Sequence, residues 1–321
     1  MIHIITTGGT IAMKRDEAAG GAIPALGGGD FLAFLPSDIG EIEVEEYCNL
    51  PSAHFTLDTI WGLRERVTEL THYDGVDGIV ITHGTDAMEE TAYLLDLTVD
   101  TEMPIILTGA MRTASDVGHD GIANLLAAVR VAASDAARDL GALVVMNQEL
   151  HAARHVTKTD TQSVDTFKSP PWGPLGRVDR DKVVVERRVT RQHIPCSRLN
   201  PNVHLIKLSV GVDDGLLSYL IGKNAAGVVI EVLGGGRVPP WWVPTIREAI
   251  EGGMVVVIAS RCPTGRVYDD YGYGGAYKDL VKAGAVFAEG LNGQKARIKL
   301  MVALGQPRDR ESIQQLYSAG T

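Results

Sequence analysis

Two stretches of this chain end an apolar run in a glycine turn flanked by threonines: Ile4-Ile5-Thr6-Thr7-Gly8-Gly9-Thr10-Ile11 and Ile79-Val80-Ile81-Thr82-His83-Gly84-Thr85-Asp86. In an open parallel α/β sheet, ligands occupy the crevice beyond the carboxyl ends of the strands, so both turns are expected to deliver a threonine to one cleft. Hydroxyl chemistry follows from that placement. A hydroxyl is a weak nucleophile until a neighbouring base or field helps it shed its proton. Lysine can be that base where burial lowers its pKa from about 10.4. Lys158, in Val156-Thr157-Lys158-Thr159-Asp160-Thr161, lies just beyond a fourth apolar run and is the candidate. Asp86, next to Thr85, could hold that lysine or bind an ammonium group on a substrate. Taken singly, each residue has an ordinary alternative: Thr85 as a helix N-cap, Asp86 as a first-turn anion, Lys158 as a solvated loop charge.

Other chemistries are weaker. A glycine turn after a first strand is also where phosphates bind, yet neither GxxxxGK[ST] nor GxGxxG can be completed from the early glycines. His151 and His155 have the i, i+4 spacing of a helical zinc pair, but the glutamate of HExxH is absent, and they are read as solvent-facing or supporting residues. His83 and His119 stand alone, without a cysteine or a serine elbow beside them. No metal site is expected. Cys48, Cys196 and Cys262 are too widely spaced for a disulfide framework or a CxxC site and are read as reduced fillers of small spaces.

The chain has 321 residues, with 30 Lys and Arg against 40 Asp and Glu, a net charge of −10 that argues against nucleic acid or an anionic membrane as partner. A small neutral or zwitterionic ligand fits better. No run approaches the roughly 20 apolar residues of a membrane span. Met1 leads straight into Ile2-His3-Ile4-Ile5 with no signal-like region, from which a cytoplasmic location is expected.

The elements that must carry these turns alternate. Strands are predicted over Ile2–Thr7, Gly78–Thr82, Pro104–Thr108 and Ala142–Asn147, their Val/Ile/Leu content suiting burial on both faces. Helices are predicted over Leu57–Tyr73, Met88–Leu97 and Asn124–Arg138. Such βαβ alternation implies an α/β fold with a mainly parallel sheet flanked by helices. Residues 186–202, polar and broken by Pro195 and Pro201, read as a linker between an N-terminal domain over 1–185 and a smaller C-terminal α/β domain over 203–321. In the latter, strands are expected at His204–Val210, Gly227–Leu233 and Met254–Ser260, and helices at Trp241–Glu251 and Lys295–Leu304. The glycine-rich Gly20–Gly29 is either a flap over the cleft or an inert surface loop.

The motifs also occur as a set. Thr7-Gly8-Gly9-Thr10-Ile11-Ala12 follows a strand, and His83-Gly84-Thr85-Asp86-Ala87-Met88-Glu89-Glu90-Thr91-Ala92 follows another. Thr108-Gly109-Ala110-Met111-Arg112, Val156-Thr157-Lys158-Thr159 and Leu291-Asn292-Gly293-Gln294-Lys295-Ala296-Arg297 come later. In these residues the chain resembles the bacterial-type L-asparaginase and glutaminase family over nearly its whole length. The resemblance implies hydrolysis of the side-chain amide of L-asparagine to L-aspartate and ammonia through a threonine acyl-enzyme. Hydrolysis of glutamine or a related amide, or a non-catalytic amino-acid-binding role, are its alternatives. It implies Thr10 as nucleophile, with Thr85, Asp86 and Lys158 activating a hydroxyl or the hydrolytic water. Ser52 takes the position that holds the substrate's α-carboxylate, and Gly9, Gly84 and Ala110 line the substrate. Backbone N–H groups around Gly9, Gly84 and Thr85 would stabilise the oxyanion. No metal or organic cofactor is implied, and the assembly implied is a homo-oligomer, dimer or tetramer, whose sites a neighbouring subunit completes.

Three positions depart from the family pattern. Ala53 follows Ser52 without a polar side chain, Arg237 replaces an asparagine in Gly234-Gly235-Gly236-Arg237, and no tyrosine precedes Tyr47, leaving Ala22 at the flap. Arg237 or one of Tyr268, Tyr271 and Tyr273 is expected to replace the lost flap contact, from another subunit.

Overall fold

Ile2–Thr6 forms β1, the strand on which the first threonine turn rests, and it lies between two parallel neighbours. The computed structural model describes residues 1–16, 18, 20–24, 35, 39–268 and 270–319, in two compact units, Met1–His193 and Ile194–Thr321. The first unit continues with β2 (Met13–Asp16) and β3 (Gly21–Pro24), an antiparallel pair, then β4 (Ile42–Glu46) and α1 (Leu57–Leu70). Next come β5 (Gly78–Thr82), α2 (Met88–Thr98), β6 (Ile105–Thr108), α3 (Gly121–Ala132) and β7 (Ala142–Met146). Short strands follow: β8 (Glu149–Ala152), β9 (Thr157–Lys158), β10 (Phe167–Lys168), β11 (Gly176–Asp179) and β12 (Lys182–Val185).

The main sheet has the order β12-β11-β8-β7-β6-β5-β1-β4. It is parallel from β4 to β7 and antiparallel from β7 to β12. The switch comes at a two-residue turn, Asn147 at φ 48 and Gln148 at φ 65, a left-handed pair that matches the twist of the strands it joins. Period-two alternation divides the core. Ile4, Val80, Ile106, Leu143 and Val145 pack on one face with Leu125, Ala128 and Val129 of α3. Ile5, Ile79, Ile81, Leu107 and Val144 pack on the other with Leu63 and Val67 of α1 and Ala92 and Leu95 of α2. At roughly 1.5–3 kcal/mol per buried aliphatic side chain, these faces hold the strand ends in place.

The second unit is a four-stranded parallel sheet of β13 (Val203–Lys207), β14 (Gly227–Val232), β15 (Val255–Ser260) and β16 (Val286–Phe287). Its helices are α4 (Gly215–Gly222), α5 (Trp242–Glu251), α6 (Tyr277–Ala283), α7 (Gly293–Ala303) and α8 (Arg310–Ser318). The α/β reading therefore holds for both units.

Several boundaries move for physical reasons. The helix expected over 124–138 begins three residues earlier, at Gly121, and stops at Ala132; Ser134 then caps a separate 3-10 turn by accepting from Ala136 N–H. The strand expected to reach Val210 ends at Lys207, because Gly211 at φ 78 turns the chain and leaves Val210 in solvent. The stretch 186–202 divides at His193: Arg187 donates to the Gly173 and Pro174 carbonyls and Arg191 to that of Thr101, while Asn200 N–H bonds the Met301 carbonyl in the second unit. Cys262 is exposed, so it fills no internal space; Cys48 donates to the Thr7 carbonyl at 3.3 Å. The proposed flap Gly20–Gly29 lies outside the described residues beyond Pro24. Among the described residues no helix is long and apolar enough to cross a membrane.

Candidate active site

At their carboxyl ends β1 and β5 run in register, Thr6 opposite Thr82. Thr7 binds the first turn to the second strand twice, its N–H at 3.1 Å and its hydroxyl at 2.8 Å both donating to the Thr82 carbonyl. Gly9 has φ 83, and a Cβ there would lie 2.6 Å from Gly84 Cα; neither the backbone angle nor the approach tolerates a side chain. A Cβ on Gly84 would in turn lie 2.6 Å from Ser52 Oγ. Gly9, Gly84 and Ser52 are thus brought together by two glycine contacts. Ser52 Oγ also accepts from Ala87 N–H at 3.3 Å, fixing it against the start of α2.

Thr10 opens a short 3-10 turn over Thr10–Ala12 and is half-buried. Thr85 is buried, and its hydroxyl accepts from Lys158 Nζ at 2.9 Å. Lys158 Nζ also donates to Asp86 Oδ1 at 2.7 Å. Thr85 is not an N-cap: α2 begins three residues on and its cap position is Ala87. Nor is Lys158 a free loop charge, since it lies on β9 in a hairpin with β10. Because Thr85 accepts from Lys158, its own O–H remains to be handed onward, and the pair can relay a proton between Lys158 and a group in the cleft. Ala110 is buried beside Ile11: a Cβ on Gly121 would meet Ile11 Cγ1 at 2.8 Å and Ala110 Cβ at 3.4 Å.

Four supporting residues were given no role from sequence. Asn124, one helical turn after Asp120 on α3, donates to the Gly109 carbonyl and to Asp120 Oδ2, both at 3.0 Å, and accepts from Asn147 N–H at 2.9 Å. Asp120 accepts from the N–H groups of Met111 and Arg112, the nearest contact being 2.9 Å. The turn that carries Ala110 is therefore clamped at both ends. Glu89 is buried and accepts from Thr157 Oγ1 at 3.1 Å, beside Lys158. His83 is buried, its Nδ1 2.7 Å from the Gly84 carbonyl; burial pushes its pKa down to about 4. The i, i+4 polar pair Asp120 and Asn124 at the head of an alanine-rich helix was the readable signal.

His151 and His155 do not share a helix face. His151 lies on β8, buried, with Nδ1 2.9 Å from Ser169 Oγ, and His155 stands in the following turn with its ring 5.9 Å from that of Trp172. Among the described residues no group of three or more His, Cys, Asp or Glu is arranged to hold a metal ion. In the second unit, the Arg237 guanidinium lies over the Tyr271 ring at 4.6 Å, and Tyr271 stacks on Tyr273 at 5.4 Å.

Comparison with known proteins decides the family. Residues 1–191 match the family model "Asparaginase, N-terminal", and residues 202–317 match "Glutaminase/Asparaginase C-terminal domain". The chain belongs to the bacterial-type L-asparaginase family. It is 34% identical over 311 residues to an L-asparaginase of Bacillus licheniformis, covering 96% of each chain. It is 37% identical over 329 residues to L-asparaginase 2 of Escherichia coli K12, covering 99% of this chain and 92% of that protein. The crystal structure of a "Probable Cytoplasmic L-asparaginase" from Campylobacter jejuni superposes with a TM-score of 0.88 at 31% identity, covering 99% of this chain and 98% of that one. The interlocked turns and the Lys158–Thr85–Asp86 set all lie within residues 1–191, the span matched by the N-terminal model.

Proposed function

We propose that this chain is an L-asparaginase, hydrolysing the side-chain amide of L-asparagine to L-aspartate and ammonia. The observation that carries the reading is Lys158 Nζ bonded at once to Thr85 Oγ1 and Asp86 Oδ1, on a turn interlocked with the one that presents Thr10. Thr10 Oγ attacks the amide carbon, its proton passing by way of water or Thr85 toward Lys158. The tetrahedral oxyanion is met by backbone N–H groups of the glycine turns, where preorganised donors act most strongly. The C–N bond breaks, the nitrogen takes up a proton and leaves as ammonia, and an ester to Thr10 remains. Water, deprotonated along the same Thr85–Lys158 route, attacks the ester; its proton returns to Thr10 and aspartate is released. Asp86, exposed beyond its contact with Lys158, is suited to the substrate ammonium, and Ser52 to its carboxylate.

The second unit's Arg237–Tyr271–Tyr273 stack is assigned to a neighbouring copy's site, where it would take over the flap contact. Both tyrosine rings are about half exposed and held by their stacking partners, as a surface prepared for contact requires. A homo-oligomer and a cytoplasmic location complete the reading, the latter in line with the "Probable Cytoplasmic L-asparaginase" of Campylobacter jejuni that shares the fold. Ammonia release from asparagine, glutamine and a substrate-free control is the test. Release from asparagine is expected; release from neither amide refutes the assignment, and a glutamine rate above that for asparagine reassigns the substrate.

A further inference from the structure

We propose that Thr157, bonded to the buried Glu89, is a positioning residue for this reaction: it holds the strand under Lys158 against the head of α2, so that Lys158 Nζ meets Thr85 Oγ1 at proton-transfer distance. The inference rests on the amidohydrolase reading and adds to it two side chains that the proton route itself does not use. Lys158 needs such support. Its nitrogen ends a flexible four-carbon stem, so its bonds of 2.9 Å to Thr85 Oγ1 and 2.7 Å to Asp86 Oδ1 place Nζ only as well as the backbone beneath is placed. That backbone is weakly held by its own ladder. β9 has two residues and pairs with β10 in a two-stranded sheet apart from the eight-stranded one, and a hairpin of that size has little stability of its own.

Val156 and Phe167 are buried in the same apolar cluster as Ala92 and Leu95 of α2, a contact that removes them from water without fixing a direction. Thr157 supplies the direction. Its hydroxyl donates to Glu89 Oε1 at 3.1 Å, so two successive residues of β9 are bound to positions 85, 86 and 89 of one short segment. Glu89 is a firm anchor. It is buried and lies in the first turn of α2, where the helix dipole favours an anion. Lys168, opposite Thr157 in the ladder, lies 3.5 Å from Glu149 Oε2 of β8 and ties the other strand of the hairpin to the main sheet. That ion pair is partly exposed and is the weaker tie. Proton transfer tolerates little play, since the two heavy atoms must stand about 2.6–3.2 Å apart and a misplacement of about 1 Å costs about 100-fold.

The experiment measures Thr157→Val and Thr157→Ser in steady-state ammonia release, and repeats the valine change on a Lys158→Met background, with melting curves alongside. Valine keeps the shape and removes the hydroxyl; serine keeps the hydroxyl. Thr157→Val is expected to lower kcat about tenfold with KM within about threefold, and Thr157→Ser to stay within about twofold of wild type. Because Thr157 acts through Lys158, the valine change is expected to cost less than about twofold once Lys158 is methionine, whereas a merely structural role costs the same on both backgrounds. A Thr157→Val enzyme with wild-type kcat, a serine variant as impaired as valine, or an equal loss on both backgrounds overturns the proposal. Should the valine variant not fold, Glu89→Gln, which weakens the same bond by removing its charge, is read in its place: a loss of about threefold in wild type and none beside Lys158→Met is expected, and equal losses or none overturn the proposal. Wild-type protein releasing no ammonia would overturn the functional reading and this inference with it, while an active wild type beside an unimpaired Thr157→Val overturns the inference alone.

Discussion

Thr85 is buried, with its hydroxyl 2.9 Å from Lys158 Nζ, whereas Thr10 is half-buried and its hydroxyl makes no hydrogen bond among the described residues. Both close a glycine turn at the end of a parallel strand, and the turns touch through Gly9 and Gly84. Similar backbones thus hold their hydroxyls in unlike environments. A hydroxyl that must form a bond to carbon needs open approach, while one that moves protons needs a fixed donor and shelter from bulk water. Thr10 has the first environment and Thr85 the second.

Exchanging or deleting these hydroxyls is the most direct way to break that comparison. Thr10→Ala is expected to lower ammonia release by about 10³-fold or more with the fold intact, because a covalent nucleophile has no substitute and one small hydroxyl contributes little to packing. Retention of more than about a tenth of wild-type turnover would transfer the attacking role elsewhere, Thr85 first.

Lys158→Met keeps the aliphatic stem and removes the terminal amine that takes up the proton, so the loss is expected in kcat, by about 100-fold or more, with a smaller rise in KM. A change mainly in KM would make Lys158 a substrate-binding residue and leave Thr85 without its proton partner.

Asn124→Leu sharpens the comparison by loosening the frame of the cleft while leaving both threonines in place. It leaves the buried Gly109 carbonyl without its partner, at about 1–3 kcal/mol, and releases the N–H of Asn147 in an exposed turn. A lower melting temperature and a kcat reduced about tenfold are the expected outcome. If turnover fell as far as in Lys158→Met with unchanged stability, Asn124 would belong to the chemistry and not to its support.

The regions differ in how much of them could be read from sequence. The buried parallel strands were legible because near-continuous apolar runs such as Gly78–Thr82 suit burial on both faces, and so was the place of both glycine turns at strand ends; the contact of Gly9 with Gly84 was not, since no spacing along the chain reports it. β4 was not legible: Ile42-Glu43-Val44-Glu45-Glu46 has too few apolar residues to stand out, and its place at the sheet edge lets Glu45 pair with Arg66. β9 and β10 have two residues each, below any periodic signal, although β9 carries Lys158. The first turn of α3 was missed because Gly121 is a poor helix former; its task is to admit Ile11 and Ala110. The bond of His83 was not legible either, since only coordinates bring its Nδ1 to the Gly84 carbonyl.

The smallest expected effect lies in acid stability, where two buried groups of the first unit oppose each other. His83 has a folded pKa of about 4, lowered from 6.5 by burial and only weakly countered by its bond to Gly84. As pH falls through 6.5, the unfolded chain takes up a proton that the folded chain refuses, so stability is lost, by about 2–3 kcal/mol between pH 7 and 4.5. Asp96 has a folded pKa of about 6, raised from 3.8 because burial outweighs the pull of Arg191 at 3.7 Å and of the Ala142 N–H. There the folded chain takes up the proton first, and stability is gained as pH falls, by about 2 kcal/mol over the same interval. Urea unfolding of wild type, His83→Asn and Asp96→Asn at pH 7 and pH 4.5 reads each slope against the protein's own neutral value. His83→Asn is expected to lose less stability on acidification than wild type, and Asp96→Asn to lose more. Parallel losses in all three would mean that neither group keeps its shifted titration in the folded state, and His83 would then be charged at pH 4.5 with its Nε2–H buried and unpaired.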